Sequence, residues 1–286
     1  MDDLLDPKID FVFKRIFGSE ENKDVLRAFL NEALKTTEPE PITDLTIVNP
    51  FLDKNMLNDK QSVLDIRAVT EDGKQVNIEI QLANQYDMNK RTLYYWAKLY
   101  TEQLQEGQRY HELKKTITIN ILDFKFLNNN QYHSIFHLRE NTSRIVLTDD
   151  IEIHIMELQK LQEGGHSLQD GLVKWLLFLK GVDKSNWEKL ARGEPELEKA
   201  MTTLDFLSQD KEARLMYDMR KKALLDQRSA IASAEEKGWE QGREKERKEV
   251  AKKLLLKGSS VSLVSEVTGL TEDEVKRLQE GLGDEM

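Results

Sequence analysis

The chain has 286 residues, 39% of them apolar, and a formal net charge of −10 at pH 7. This length allows one large domain with appendages or two domains, and the apolar share is sufficient for a buried core. The absence of cysteine excludes disulfides and thiolate metal sites, while the negative charge argues against non-specific nucleic-acid binding as the main activity. Because the N-terminus lacks a signal-peptide pattern and no apolar run approaches the ~20 residues of a membrane helix, we expect a cytoplasmic protein.

The first 165 residues alternate between predicted helices and strands. Apolar residues at three- and four-residue spacing predict helix over 9 to 35, with a break at Gly18 and Ser19. The segment "LTIVNPF" predicts a short strand that ends near Pro50, because proline has no N–H for the ladder. An amphipathic helix is predicted over 87 to 106, and strands are predicted over 63 to 69, 75 to 82, 116 to 124, 132 to 140 and 151 to 158.

The character of the sequence changes after residue 165. A polar helical extension is predicted over 166 to 232, followed by a charged helix and two short helices over 233 to 286. Ala234, Gly238 and Gly242 recur every four residues, and such a small-residue stripe permits the close approach of a second helix. We expect a homodimer formed through these C-terminal helices; the alternative is a lone helix supported by pairs of opposite charge.

The two short C-terminal helices resemble a helix-turn-helix in outline. The second helix opens with a capping box formed by Thr271 and Glu274. Its first turn carries three acids, at 272 to 274, where a recognition helix would contact bases. We therefore expect an assembly or accessory module rather than a sequence-specific DNA reader.

The segment "LDIRAVTEDGKQVNIEIQL", residues 64 to 82, predicts a hairpin with a defined register. Burying the apolar side chains of both strands together pairs Leu64 with Ile80 and Ile66 with Ile78, since paired residues point to the same side. This register leaves a three-residue loop, 71 to 73, with Gly73 in the left-handed conformation. A one-residue slip would turn a whole set of side chains to the other face, so the apolar pattern rejects it.

The same register sets Asp65 opposite Glu79, with Gln81 two residues further along the same face. Two carboxylates this close repel each other unless a cation, a proton or a basic side chain compensates. One interpretation is a solvated sheet face on which Arg67 and Lys74 neutralise the acids. The other is a divalent metal site, for which oxygen ligands favour Mg²⁺ or Mn²⁺ over zinc.

The placement of Asp65 and Glu79-x-Gln81 on two adjacent strands resembles the PD-(D/E)XK nuclease core. The resemblance extends through "DPKIDFVFKRIFG", "DKQSVLDIRA", "GKQVNIEIQ" and "KRTLYYWAKLYTEQLQEG" to about residue 160. Together these blocks resemble the Rpn family of recombination-promoting nucleases, also described as PD-(D/E)XK nuclease family transposases. The implied fold is mixed α/β, with a restriction-endonuclease-like core over 1 to 165 and a helical C-terminal extension.

This resemblance implies a metal-dependent DNA endonuclease linked to recombination or mobile elements. Asp65 and Glu79 would ligate Mg²⁺ (or Mn²⁺ or Ca²⁺) together with the backbone carbonyl of Ile80, and Asp10 is a further candidate ligand. Gln81 would complete the catalytic set. The metal would polarise the scissile phosphate and lower the pKa of an attacking water.

Gln81 stands where the general motif has lysine. A neutral amide supplies hydrogen bonds but no positive charge, so another group has to supply it; Lys14, Lys60 and Arg91 are the candidates. Arg91, Tyr94 and Lys14 are the expected substrate-binding residues, because cations and aromatic rings hold phosphates and stack on bases. The alternative is a helix whose apolar side packs on the sheet while its polar residues are solvated.

A different class of function also fits these features. The neutral Gln81 and the acidic balance are compatible with a catalytically silent DNA-binding or assembly protein that retains the nuclease fold. The five histidines show no metal-binding spacing, and we expect them on strand or loop surfaces. The sequence contains no glycine-rich phosphate loop and no nucleophile elbow, which argues against an NTPase, a kinase or an α/β-hydrolase.

Overall fold

A computed structural model describes residues 4–48, 51–52, 62–63, 65–84, 87–161, 167–181 and 183–283. The chain forms two compact units, Met1–Lys221 and Lys222–Met286. Among the helices of the described ranges, none combines the length and the apolar character that a membrane crossing requires.

The centre of the first unit is a mixed sheet that contains six strands in the described part of the chain. Its order is β1-β4-β5-β6-β8-β7, in which β5, β6 and β8 run parallel to one another and the remaining contacts are antiparallel. A separate pair is formed by β2 and β3. The strands are β1 (Leu45–Val48), β2 (Phe51–Leu52), β3 (Ser62–Val63), β4 (Ile66–Thr70), β5 (Gln75–Gln81), β6 (Thr116–Leu122), β7 (His133–His137) and β8 (Ile151–Glu157).

Helices of the first unit pack around a group of buried aromatic rings. Phe17 lies 5.5 Å from Phe29 and 5.8 Å from Trp175 between ring centroids, which joins two consecutive helices to a third that comes much later in the sequence. The predicted break near Gly18 is confirmed, because one helix ends at Phe17 and the next begins at Lys23. The helices are α1 (Asp10–Phe17), α2 (Lys23–Leu34), α3 (Met88–Thr101), α4 (Gly171–Lys180), α5 (Trp187–Ala191), α6 (Pro195–Gln209) and the start of α7 (Lys211–Leu256).

The central strands have one apolar face and one polar face, and both are buried. Val76 and Ile78 of β5 are fully buried on the first face. On the second face, α3 covers the strands: its Thr92 hydroxyl donates to Asn120 Oδ1 at 3.1 Å, and Trp96 Nε1 donates to the carbonyl of Thr116 at 2.9 Å. Polar side chains of β5 and β6 are therefore enclosed beneath a helix, which is where the predicted functional residues lie.

The predicted register of the β4–β5 hairpin is confirmed in the described residues. Ile66 pairs with Ile78, and the Thr70 N–H donates to the carbonyl of Lys74 at 3.0 Å, which leaves residues 71 to 73 as the loop. Gly73 has φ +89°, the left-handed conformation that the loop requires. Leu64, the predicted partner of Ile80, lies outside the described residues.

The second unit contains the remainder of α7, α8 (Val261–Thr268) and α9 (Glu272–Gly283). Ala251, Val264, Leu270 and Val275 form its apolar core. The predicted capping box at Thr271 is confirmed: its hydroxyl accepts from the N–H of Glu274, whose carboxylate accepts from the N–H of Thr271. The predicted change of character at residue 233 marks no helix boundary, since α7 runs for 46 residues and ends only at Leu256.

Candidate active site

Five predicted site residues come together at the open end of the β4–β5 hairpin. Asp65 immediately precedes β4, and Glu79 and Gln81 lie near the end of β5. Lys14 reaches this point from α1, and Arg91 reaches it from the first half of α3. The hairpin register and two flanking helices therefore converge on one small polar site.

Asp65 and Glu79 are fixed by backbone hydrogen bonds that run in both directions between their segments. The Asp65 N–H donates to Glu79 Oε1 at 3.2 Å, and the Ile80 N–H donates to Asp65 Oδ2 at 2.9 Å. Successive residues of a strand turn their backbone groups to alternate sides, so the carbonyl of Ile80 is aimed toward the same edge as its N–H. The carbonyl of Ile80 therefore lies on the side of β5 that faces Asp65.

Each of the two carboxylates has a cation on its remaining oxygen. Lys14 Nζ lies 3.2 Å from Asp65 Oδ1, and Arg91 Nη2 lies 3.2 Å from Glu79 Oε2. The guanidinium of Arg91 also lies over the ring of Tyr95, 5.2 Å from its centroid. These cations come from helices on the two sides of the hairpin in sequence, α1 before it and α3 after it.

The interpretation in which Arg67 and Lys74 neutralise the acids is wrong. Arg67 Nη1 pairs with Glu102 at 3.1 Å, and Lys74 Nζ pairs with Glu38 at 2.6 Å. The solvated sheet face is contradicted as well, because Glu79 is only 2% exposed. The physical reason is that α3 covers this face of the sheet, which removes the acids from solvent.

Burial makes the carboxylate pair costly in its ionised form. Burial and, next, the charge of Asp65 raise the pKa of Glu79 to about 8. Burial likewise raises the pKa of Asp65, although the N–H of Ile80 and the charge of Lys14 oppose the shift. Carboxylate oxygens are hard donors that suit Mg²⁺ or Mn²⁺. A bound dication would stabilise the ionised form of both acids and so lower both pKa values.

Gln81 lies beside the pair and is 9% exposed. Its Nε2 donates to Glu79 Oε2 at 3.3 Å, so the amide shares that oxygen with Arg91. With glutamine there, the positive charge at the site comes from α1 and α3.

The remaining residues predicted for the site are Tyr94, Asp10 and Lys60. Tyr94 is 42% exposed and its ring lies 5.9 Å from the ring of Tyr95. Tyr95 is the aromatic residue that contacts Arg91, as its four-residue helical spacing permits. Asp10 lies 4.0 Å from Arg220, and its charge contributes to the raised pKa of Asp65 after the effect of burial. Lys60 lies outside the described residues.

A second polar cluster, which the sequence reasoning missed, lies on β8 and its neighbours. His137, Asp149 and Glu152 place potential ligand atoms within 4.8 Å of one another. Lys115 Nζ lies between the acids, 3.0 Å from Asp149 and 2.8 Å from Glu152. Although burial opposes the shift, the hydrogen bonds to its acidic partners raise the pKa of Lys115. This ammonium compensates the cluster as Lys14 and Arg91 compensate the hairpin acids, so the counterions do not decide between the two places; the hairpin acids are the ones that coincide with the family-like motif of the sequence.

The expectation that the histidines lie on surfaces is wrong for His154, which is fully buried. Its ring nitrogens lie 2.6 Å from Glu152 Oε1 and 2.8 Å from His133 Nε2. These partners satisfy its polar atoms, which is why a histidine is tolerated in a central strand. The alternation of "IEIHIMEL" indicated the strand but not that its polar side would be buried; His166 lies outside the described residues.

Comparison with known protein families decides the family. The model described as "PD-(D/E)XK nuclease family transposase" matches residues 7–234. The chain belongs to this family. Its fold is therefore the predicted one, a mixed α/β PD-(D/E)XK core with a helical C-terminal extension. A search of curated proteins and a search of solved structures found no match.

The C-terminal module of this PD-(D/E)XK family member has a match of its own. The model described as "Rpn/YhgA-like nuclease family, C-terminal HTH domain" matches residues 244–280, which include the end of α7, all of α8 and most of α9. The predicted helix-turn-helix outline is confirmed. The domain type favours DNA binding by this module, whereas the acids at 272 to 274 had led us to expect an assembly or accessory module rather than a sequence-specific DNA reader.

Proposed function

We propose that this PD-(D/E)XK family member is a metal-dependent DNA endonuclease that hydrolyses phosphodiester bonds. The observation that carries the proposal is the convergence of Asp65 and Glu79, locked by reciprocal backbone hydrogen bonds, beside two basic side chains. The name of the matching family, a transposase family, supports a role in recombination or in mobile-element biology. Because the proposed substrate is cellular DNA, we propose the cytoplasm as the place of action.

Asp65, Glu79 and the carbonyl of Ile80 are the proposed metal ligands, with Asp10 as an additional acid nearby. Mg²⁺ is the proposed ion, and Mn²⁺ or Ca²⁺ would suit the same oxygen donors. Such an ion supplies Lewis-acid polarisation of the scissile phosphate and a lowered pKa of a bound water. The fixed carboxylates of the chain provide the negative charge that selects a dication at this point.

The other side chains have proposed roles in holding substrate. Gln81 can orient an attacking water through its amide, since it is already held beside Glu79. Lys14 and Arg91 can donate to phosphate oxygens, because both heads are partly exposed next to the acids. Exposed Tyr94 can stack on a base.

A plasmid-nicking assay tests the activity. Purified full-length chain should nick supercoiled plasmid in Mg²⁺ and not in EDTA, and Asp65→Asn and Glu79→Gln should each lose at least a hundredfold in rate. Asp72→Asn is the matched control, because this half-exposed acid of the same hairpin pairs with Lys74, away from the site. Equal nicking by all four proteins would mean that a contaminant cuts the DNA and that this proposal fails.

A catalytically silent DNA-binding or assembly protein is the second candidate. It is favoured by the side-chain contacts themselves, because Lys14 and Arg91 already hold both carboxyl groups without any metal. In that case the chain would slow the migration of DNA in a gel through its helix-turn-helix domain and would cut no DNA in Mg²⁺ or Mn²⁺. The nicking assay and a gel-shift assay on the same preparation separate the two candidates.

The domain organisation of this proposal is a core over 1 to 165, a helical extension over 166 to 232 and a C-terminal module over 233 to 286. We propose that DNA is the partner of the module and that two copies of the chain associate through the stripe of Ala234, Gly238 and Gly242. The described part of α7 leaves these three residues exposed. Light scattering should give the mass of a dimer for the native chain and of a monomer for Gly238→Glu, whereas Glu236→Gln should not change the mass.

A further inference from the structure

We infer that Lys14 and Arg91 are exchangeable counterions of the nuclease site: each holds a metal-ligand oxygen before metal uptake and becomes available to the DNA phosphate afterwards. This inference rests on the proposed function and names the groups that replace the missing motif lysine. Its basis is the division of the four carboxylate oxygens between backbone and side-chain partners.

The backbone and the cations contact different oxygens of the carboxylate pair. Asp65 Oδ2 and Glu79 Oε1 are the oxygens that accept backbone N–H groups, whose positions the hairpin fixes. Asp65 Oδ1 and Glu79 Oε2 are the oxygens on which Lys14 and Arg91 lie. The two oxygens that accept no backbone N–H are the ones available to a metal. They are also the two oxygens that Lys14 and Arg91 contact.

The anions of the site are fixed, whereas the cations can move. The side chains of Asp65 and Glu79 are 14% and 3% exposed, while those of Lys14 and Arg91 are 35% and 30% exposed. Lysine and arginine carry their charge on long flexible stems, so their heads can shift at little cost while the hairpin stays in place. The Tyr95 ring gives the guanidinium of Arg91 a second contact, which keeps it near the site when it leaves Glu79.

Charge balance makes the exchange favourable only in the presence of a polyanion. With both acids ionised, as ligation of a metal requires, two carboxylates and two cations sum to zero, so a dication added to the site leaves two positive charges without an anion. A phosphodiester backbone supplies that negative charge to Lys14 and Arg91 directly beside the acids. The general motif has a positive charge at the position of Gln81. Here Lys14 and Arg91 supply that positive charge from two helices, and they become available to DNA only when a metal ion replaces them on the acids.

Metal binding measured without DNA tests the exchange. Full-length chain is titrated with Mn²⁺ by isothermal calorimetry, and Lys14→Met and Arg91→Met are each expected to bind Mn²⁺ about five- to tenfold more tightly, because a competing ion pair of about 1 kcal/mol is gone. Both variants should cut DNA more slowly at saturating Mn²⁺. Lys14→Arg should retain the native Mn²⁺ affinity, which separates the effect of charge from that of a changed fold.

The matched control is Lys23→Met, since Lys23 is a helix lysine paired with Asp44 outside the site. Unchanged or weaker Mn²⁺ binding by both Lys14→Met and Arg91→Met would overturn the exchange while leaving a metal-dependent nuclease in place. Equal Mn²⁺ binding by the native chain and Glu79→Gln would instead overturn the proposed function. A variant that misfolds is recognised by its melting temperature, and Arg91→Gln then replaces Arg91→Met, with tighter Mn²⁺ binding as the expected result and unchanged or weaker binding overturning the exchange.

Discussion

Asp65 and Glu79 hold each other's strand segments: the N–H of Asp65 donates to the carboxylate of Glu79, and the N–H that follows Glu79, on Ile80, donates to the carboxylate of Asp65. Each acid therefore has one oxygen whose position is set by the backbone, so the hairpin itself organises the site. Such preorganisation reduces the cost of forming a metal site, and it also encloses two like charges within one fold. The consequences of that enclosure can be measured.

The Glu79→Gln variant should gain stability relative to the native chain as the pH rises. Burial, followed by the charge of Asp65, raises the pKa of Glu79 to about 8, whereas an unfolded glutamate has a value of 4.5. The folded chain thus holds a proton that stabilises it fully below pH ~4.5, and this contribution is lost as the pH rises through about 8. Glutamine resembles the protonated form of glutamate and does not ionise, so the variant does not lose this stability as the pH rises.

We therefore expect the stability difference between Glu79→Gln and the native chain to increase by about 2–3 kcal/mol between pH ~6 and pH ~9 in EDTA. Thermal or urea unfolding at several pH values measures it. Glu106→Gln, at an exposed loop position, is the control and should follow the native chain. A difference that stays constant with pH would contradict a buried, protonated Glu79.

Gly73→Ala should weaken both the fold and the metal site. Gly73 has φ +89°, and an added Cβ would lie 3.3 Å from Lys114 Cγ, so the variant should lose about 1 kcal/mol of stability. Because the three-residue loop sets the register that aligns Asp65 with Glu79, we also expect weaker Mn²⁺ binding by calorimetry.

Gly107→Ala is the matched control for this effect, since Gly107 has the same φ of +89° and no atom within 4 Å of an added Cβ. It should show a similar loss of stability with native Mn²⁺ affinity. If Gly73→Ala kept native Mn²⁺ affinity, the loop would not determine the geometry of the site.

The sequence predicts the hairpin well because its register depends on local alternation of apolar residues. Ile66 and Ile78 had to face the same buried side, and this requirement alone set Asp65 opposite Glu79. Resemblance to a family then supplied the chemistry, and the family match supports it. These inferences needed no knowledge of which helix covers the sheet.

The counterions of the acids could not be derived in the same way. Arg67 and Lys74 are the nearest basic residues in sequence, yet the fold pairs them with Glu102 and Glu38. Lys14 and Arg91 reach the acids only because α1 and α3 flank the hairpin, which is a property of the tertiary fold. The buried state of His154 escaped prediction for the same reason, since a polar residue in an alternating strand normally indicates a solvated face.

His133 should make the fold sensitive to mild acid. Burial and then the neighbouring His154 lower the pKa of His133 to about 4 from the usual 6.5. The unfolded chain therefore binds this proton more readily, and stability that is fully present above pH ~6.5 is lost as the pH falls toward 4.

Because of His133, we expect the free energy of unfolding to be about 1 kcal/mol lower at pH ~5.5 than at pH ~7.5. His133→Gln removes the titrating group, so its melting temperature should fall less steeply over this range than that of the native chain. His111→Gln, at an exposed position, provides the comparison and should retain the native slope. Parallel slopes for all three proteins would mean that His133 is not buried in its neutral form.

The acids at the start of α9 should weaken DNA binding by the helix-turn-helix domain. Glu272 and Asp273 are exposed in the first turn of α9, where a recognition helix meets the major groove, whereas Glu274 is occupied in the capping box. Neutralising the first two as Glu272→Gln with Asp273→Asn removes repulsion from phosphates and leaves the cap intact. We expect DNA affinity to rise about five- to tenfold at low salt and the gain to shrink as salt is added, because screening reduces interactions between exposed charges.

Gel-shift titration of the full-length chain at two salt concentrations measures this effect in EDTA, where no cleavage is expected. Glu280→Gln alters an equally exposed acid at the opposite end of α9 and should leave the affinity within twofold of the native value. Equal gains from both ends of the helix would reflect net charge alone and would mean that the first turn of α9 does not face DNA. A gain confined to Glu272 and Asp273 would instead place that turn at the nucleic acid, because only charges near the phosphates lose affinity through repulsion.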